Sequence, residues 1–265
     1  MNLLFKKANT KFFWTLFIVS LFFCSNLFSQ EQQEEQKEKK GGLHLGSGVD
    51  LVSSYNWRAI DFGNSPAIQP YISLSAFNFE LSGWGSYALI AQEEHDGKSV
   101  PFSEIDLSAK YSIPTSVGTF SPGVVDFFYP YEHMRYSDYK GVDSGESKGA
   151  HWVNVGLTYT GGESFPISLT IDYAIHNDPD KPIYFEIGYP VKIEETNLNL
   201  FVGAAKGSNK ASLYGIEDSK LGIVNAGITA TKTITITKDF SLPVSTSFIM
   251  NPYLSKAYLV LKVSL

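Results

Sequence analysis

Ile167-Ser-Leu-Thr-Ile-Asp-Tyr173 and, after a short polar loop, Ile183-Tyr-Phe-Glu-Ile-Gly-Tyr189 place an apolar residue at every second position, and both stripes end in tyrosine. Period-two alternation marks a strand with one apolar face. Asn177-Asp178-Pro179-Asp180 between the two segments reads as a turn, so the strands run in opposite directions and their terminal tyrosines lie at opposite ends of a sheet. Tyrosine at both ends of an apolar face suits a sheet standing in a lipid layer, because the ring sits among acyl chains while the hydroxyl reaches headgroups and water.

The pattern recurs along the chain and predicts about twelve strands, over 43–58, 66–77, 79–90, 102–113, 119–131, 150–160, 165–176, 182–192, 197–206, 220–231, 240–250 and 257–265. Their number is even, and most are near the roughly 9–11 residues that a tilted strand needs to cross a hydrocarbon layer. Long connections rich in Gly, Ser, Asp and Lys, such as 92–101, 132–149 and 207–219, alternate with tight turns at 78, 114–118, 161–164 and 194–196. The connection around 232–239 is longer, and its Thr-Ile-Thr-Ile-Thr pattern predicts strands extended past the membrane. Stripes ending in Tyr55, Tyr87, Tyr129 and Tyr173 place one aromatic girdle, and those ending in Tyr111, Tyr159 and Tyr189 place the other. The expected fold is therefore all-β, a single antiparallel transmembrane β-barrel. A soluble sandwich also alternates, but it would bury these tyrosines and oblige each hydroxyl to find a partner. The last strand alternates to its end through Leu259, Leu261, Val263 and Leu265, which resembles the signal that hands barrels to the outer-membrane assembly machinery.

The chain has 265 residues, 43% hydrophobic, 14% aromatic and 18% charged, which excludes a disordered protein. Lys6, Lys7 and Lys11 precede the apolar run 12–23, the pattern of a secretory signal peptide over residues 1–29. Residues 30–42 hold no apolar side chain and read as a flexible polar leader, so the barrel is expected over 43–265. Cleavage after Ser29 removes three lysines and no acid, leaving 18 bases against 27 acids, a net charge of −9. Such a chain is a poor partner for nucleic acid. The one cysteine, Cys24, leaves with the signal peptide, which removes thiol chemistry from the mature protein.

If the stripes face lipid, the intervening positions face the lumen: Asp50, Arg58, Glu80, Glu104, Asp106, Lys110, Asp126, Asp172, Glu186, Lys192 and Lys262, with Asn154, Asn199 and Asn225. Seven of these are acidic and four basic, so the lumen leans negative by three, which favours cations and neutral solutes over anions in an open pore. Mutually paired charges in a closed barrel are the alternative. Inward Trp84 and Phe128 would narrow the passage. Glu93-Glu94-His95-Asp96 and His133 with Asp138 read as solvated loops, and Asp172, His176, Asp178 and Asp180 lack a nearby nucleophile. No metal or cofactor motif is present.

Asp50-Leu-Val-Ser-Ser-Tyr55-Asn-Trp57-Arg58, followed by Gln69-Pro70 and Trp84-Gly85-Ser86, resembles the start of the TorF-type porin family, whose pattern is Ser-x-Tyr-x-Trp-Arg-Gly, Gln-Pro and Trp-Gly-Ser. Ala59 departs from it, standing where the family has Gly. The match is most specific over 49–88, and beyond it lies mainly in strand spacing and in Asn251-Pro252 before the last strand. The resemblance implies an outer-membrane barrel and a pore, and no particular solute. The expected function is a bacterial outer-membrane channel for small polar solutes, non-enzymatic and without cofactor, with the lipid bilayer as its surroundings. A closed structural barrel, an outer-membrane hydrolase and a soluble exported binding sandwich are the alternatives.

Overall fold

A computed structural model describes residues 42–91, 93–95, 98–130, 135–139, 151–178, 181–207, 213–216 and 220–265. The signal peptide and all but the last residue of the leader lie outside them, as do Asp96, His133 and Asp180. In chain order the strands are β1 (His44–Val52), β2 (Tyr55–Trp57), β3 (Ile60–Phe62), β4 (Ala67–Ala76), β5 (Phe79–Ala88), β6 (Glu93–His95), β7 (Lys98–Val100), β8 (Ser103–Tyr111) and β9 (Ile113–Thr115). They continue as β10 (Gly118–Phe128), β11 (His151–Gly161), β12 (Ser168–His176), β13 (Ile183–Ile193), β14 (Thr196–Lys206), β15 (Leu221–Thr237), β16 (Phe240–Asn251) and β17 (Lys256–Ser264).

One antiparallel sheet closes on itself through the order β1-β4-β5-β8-β10-β11-β12-β13-β14-β15-β16-β17 and back to β1. Across Ser112, β9 prolongs the line of β8 along the same edge of β10, so the wall has the twelve expected strands. Closure joins the two ends of the sheet: Asp50 pairs with Ser264 and Val52 with Lys262, while Val49 and Leu265 exchange backbone hydrogen bonds of 3.0 and 2.8 Å. A closed ring leaves no row of unpaired backbone groups, and it excludes the sandwich. Contacts divide the chain into this barrel unit, Gly41–Thr233 with Pro243–Leu265, and a second unit that contains Ile234–Leu242, the tip of the β15–β16 ribbon.

Alternation sorts the wall residues onto two faces. The outer face is an apolar belt in which Leu107 is 45%, Ile187 48% and Leu259 66% exposed. Soluble monomers rarely carry apolar patches beyond a few hundred Å². The inner face carries small polar residues toward the tight-turn end, where hydroxyls pair across strands: Ser82 with Ser108 at 2.6 Å, Thr229 with Ser247 at 2.8 Å and Thr231 with Ser245 at 2.9 Å.

Two expectations change. The first strand does not run to residue 58. It ends at Val52, and β2 and β3 form their own hairpin, with Tyr55 opposite Phe62 and Trp57 opposite Ile60. Arg58 and Ala59 between them have φ of 51° and 58°, the double left-handed turn that suits a two-residue hairpin. On β10 the assigned faces are exchanged. Val125 and Phe127 point inward with Tyr129, whereas Asp126 and Phe128 share the outer face with Val124, which is 38% exposed. The physical reason is that Val124-Val125-Asp126-Phe127-Phe128 offers a large apolar residue on both faces, so alternation alone does not set its phase.

Candidate functional site

The β2–β3 hairpin enters the barrel at the end that carries the long connections. Its tyrosine, Tyr55, is buried against Phe62, Trp84 and Phe102, with ring centroids 5.2, 5.2 and 6.1 Å away. Trp57 reaches Phe127 of β10 at 5.9 Å and Tyr214 at 6.4 Å. Arg58 then spans to the far wall. Its Nη2 lies 3.2 Å from Asp172 of β12, its Nη1 donates to the Tyr214 hydroxyl at 2.7 Å, and its guanidinium carbon sits 4.2 Å above Trp57 and 3.9 Å above Tyr184 of β13. The hairpin thus links β5 to β13, which lie nearly opposite in the ring order.

Neighbouring side chains hold this cage in shape. Asn154 donates to the other oxygen of Asp172 at 2.6 Å. The Tyr184 hydroxyl donates a short hydrogen bond to Glu186, and Asn225 donates to Glu186 at 2.8 Å and to Tyr184 at 3.1 Å. Tyr214 stacks on Tyr184 with centroids 5.6 Å apart. Burial works against the charge of Arg58, but Tyr214 and Asp172 outweigh it and hold its pKa above the ordinary arginine value. Burial pushes the Tyr214 phenol up to about 12, although Arg58 beside it acts the other way. Tyr55 is pushed well above the usual tyrosine range, first by burial and then by Glu104 and Asp106. Among the described residues, the buried side-chain atoms without a hydrogen-bond partner are both polar atoms of Asn56, Glu104 Oε2, Asp106 Oδ1, Asn225 Oδ1 and Asn251 Nδ2. Between Trp57, Glu104, Trp152, Asp172 and Tyr214 remains a cavity of about 20 Å³, room for about one water.

Two further ion pairs lie on the inner face. Lys110 meets Glu80 at 2.9 Å and Lys262 meets Asp50 at 3.1 Å, and with side-chain exposures of 44% and 41% both lysines are reached by solvent. Of the residues assigned to the lumen, Asp50, Glu80, Glu104, Asp106, Lys110, Asp172, Glu186 and Lys262 occupy inward positions, Lys192 does so at an exposed position near the end of β13, and Arg58 enters from the hairpin. Asp126 does not. It lies on the outer face and receives hydrogen bonds from His151 Nδ1 at 2.8 Å and from the Tyr139 hydroxyl at 2.8 Å, with the His151 ring held between Phe128 and Tyr139 at 4.9 and 3.8 Å.

Tyr87, Tyr111, Tyr159, Tyr173 and Tyr189 stand on the outer face near the expected ends. Tyr55 and Tyr129 are corrections. The first belongs to the hairpin and the second packs against Phe102 and Trp152, at 6.1 Å each, so both serve the interior. The carboxylate and histidine grouping after β12 disperses. A register shift opposite Val153 turns His176 outward to the Tyr139 carbonyl at 2.7 Å, while Asp172 points in to Arg58. Among the described residues no three His, Cys, Asp or Glu side chains converge as metal ligands. Tyr184 and Tyr214 were missed. Tyr184 carried a signal, as a tyrosine on the polar phase of its strand, whereas Tyr214 sits in a loop where periodicity says nothing.

A family model described as a bacterial protein of unknown function, Gcw_chp, matches residues 36–246. No curated protein matches the chain.

Proposed function

The chain belongs to the Gcw_chp family, bacterial proteins of unknown function, and on that premise we propose that it is an outer-membrane β-barrel that passes small polar solutes through a lumen closed at its outer mouth by the β2–β3 hairpin. The observation that carries this reading is the contrast between the two faces of one closed ring. The outside is an apolar belt bordered by Tyr87 and Tyr173 at one end and Tyr111, Tyr159 and Tyr189 at the other, while the inside, apart from the aromatic cluster around the hairpin, carries hydroxyl pairs and solvent-reached ion pairs. An apolar outside and polar inside is the reverse of a water-soluble barrel and matches lipid outside and water within. The resemblance over 49–88 to the TorF-type porins points the same way.

The hairpin makes the resting lumen narrow rather than open. Replacing Tyr55–Phe62 with a short Gly-Ser link is the direct test. In planar bilayers the full chain is expected to give rare, small current steps, and the hairpin-deleted chain frequent, larger steps that favour potassium over chloride. If both chains fold and neither conducts, the closed structural barrel is the better account, because the same cross-lumen contacts of Arg58 would then serve only to stiffen the wall.

A further inference from the structure

The Arg58 guanidinium is held the way a protein holds an organic cation. A carboxylate lies at 3.2 Å, a phenol oxygen at 2.7 Å, and two aromatic faces lie at 4.2 and 3.9 Å. Aromatic faces and a carboxylate together select cations that shed water easily, guanidinium and alkylammonium groups above all. The cage and its occupant belong to different parts of the chain. Asp172 and Tyr184 are on barrel strands, so two sides belong to the wall, and Tyr214 stacks on Tyr184 as well as on the hairpin's Trp57. Arg58 rides on two three-residue strands joined through Ala59, a Cβ-bearing residue at φ 58°, a conformation that L residues adopt at some cost.

Charge distribution separates this cage from the rest of the lumen. Elsewhere in the lumen Lys110 is matched to Glu80 and Lys262 to Asp50. Around the hairpin, Glu104, Asp106, Asp172 and Glu186, with Asp178 beside the cavity, surround the buried Arg58, while Lys256 at the start of β17 is on the inward phase but exposed. With Arg58 withdrawn, these carboxyl groups would face the mouth beside stacked tyrosines. The remaining cavity, about 20 Å³, is too small for a solute while Arg58 is seated, so an occupant must displace it.

We propose that the Asp172–Tyr184–Tyr214 cage is a binding site for a small organic cation carrying a guanidinium or amine group, and that Arg58 is a built-in stand-in which this solute displaces to open the mouth. The proposal rests on the channel reading above and adds its solute class and gate. An arginine tethered by a short hairpin competes at an effective concentration on the order of millimolar, so half-maximal opening is expected in that range.

Methylguanidinium chloride is the probe, with urea as its uncharged counterpart and sodium chloride as the ionic control. In planar bilayers, methylguanidinium at about ten times that concentration is expected to raise the open fraction of the full chain several-fold, with urea and sodium chloride ineffective. Arg58→Gln is expected to stay open without the probe and to lose the response. Binding is read separately by calorimetry on detergent-folded protein. The hairpin-deleted chain should bind methylguanidinium at least tenfold more tightly than the full chain, and Asp172→Asn in the deleted background, where no buried arginine is left alone, should abolish it. A deleted chain that conducts but does not bind the probe overturns the cation site and leaves the channel. One that binds without conducting supports the cage and overturns the channel. Equal responses to urea and methylguanidinium overturn the cation assignment.

Discussion

Arg58 is buried with its charge intact because Asp172, the Tyr214 hydroxyl and two aromatic faces replace the water it gives up. Removing one partner of such a pair costs far more than the pair contributes, since a buried charge is left alone. Asp172→Ala is therefore expected to lower the unfolding free energy by about 3–5 kcal/mol, and Arg58→Gln/Asp172→Asn together by clearly less, measured by urea unfolding in detergent or vesicles. Tyr214 adds a pH signature. Its folded pKa of about 12 lies above the ordinary value of 10.0, so the folded state holds a proton that the unfolded chain has lost. Stability from this group is complete below pH 10 and falls as the pH rises toward 12. Tyr214→Phe should reduce that alkaline slope, while lowering stability at pH 7 through the hydrogen bond it removes. At Gly203, an added Cβ would run into the Tyr184 ring, and that ring is fully buried with no room to retreat. Gly203→Ala is expected to cost about 1–3 kcal/mol and to disturb the floor beneath Arg58.

At the scale of elements, β10 and the β2–β3 hairpin show where pattern reading stops. Strands with one polar and one apolar face, such as β12 and β13, disclosed both faces in their alternation. In β10 the inner face is apolar because it packs against the hairpin's Trp57, and Asp126 sits outside because His151 and Tyr139 partner it there. Neither partner is a near neighbour in the chain. The hairpin was hidden for a related reason: Val49-Leu51-Ser53-Tyr55 keeps the period of a continuing strand, and only the left-handed turn at Arg58 and Ala59 reveals the reversal. Closure is the element-scale prediction. Leu265 and Val49 exchange backbone hydrogen bonds across the seam, so deleting Lys262–Leu265 strips β1 of most of its partner and removes the Asp50–Lys262 pair. The truncated chain is expected to lose heat-modifiable gel mobility, the readout of a closed barrel, whereas Leu265→Ala should keep it, because the lost contacts are side-chain only.

For the whole molecule, the unit of stability is the ring. Each wall strand is hydrogen-bonded on both sides, so unfolding is expected to be cooperative, with unheated protein migrating apart from boiled protein as one band. The same geometry predicts recovery with outer-membrane fragments on cell fractionation, and recovery in periplasmic extract would overturn the membrane reading. Sequence by itself determined the strand number, the antiparallel order and, except on β10, the outer face, because an apolar exterior asks for one apolar residue in two along each strand, and that demand is local and periodic. Most lumen positions followed as the complement of those stripes. What fills the lumen was decided only in three dimensions. Arg58, Asp172, Tyr184 and Tyr214 come from a hairpin, two strands and a loop, and a cation gains its partners there through closure of the ring, which no local period records.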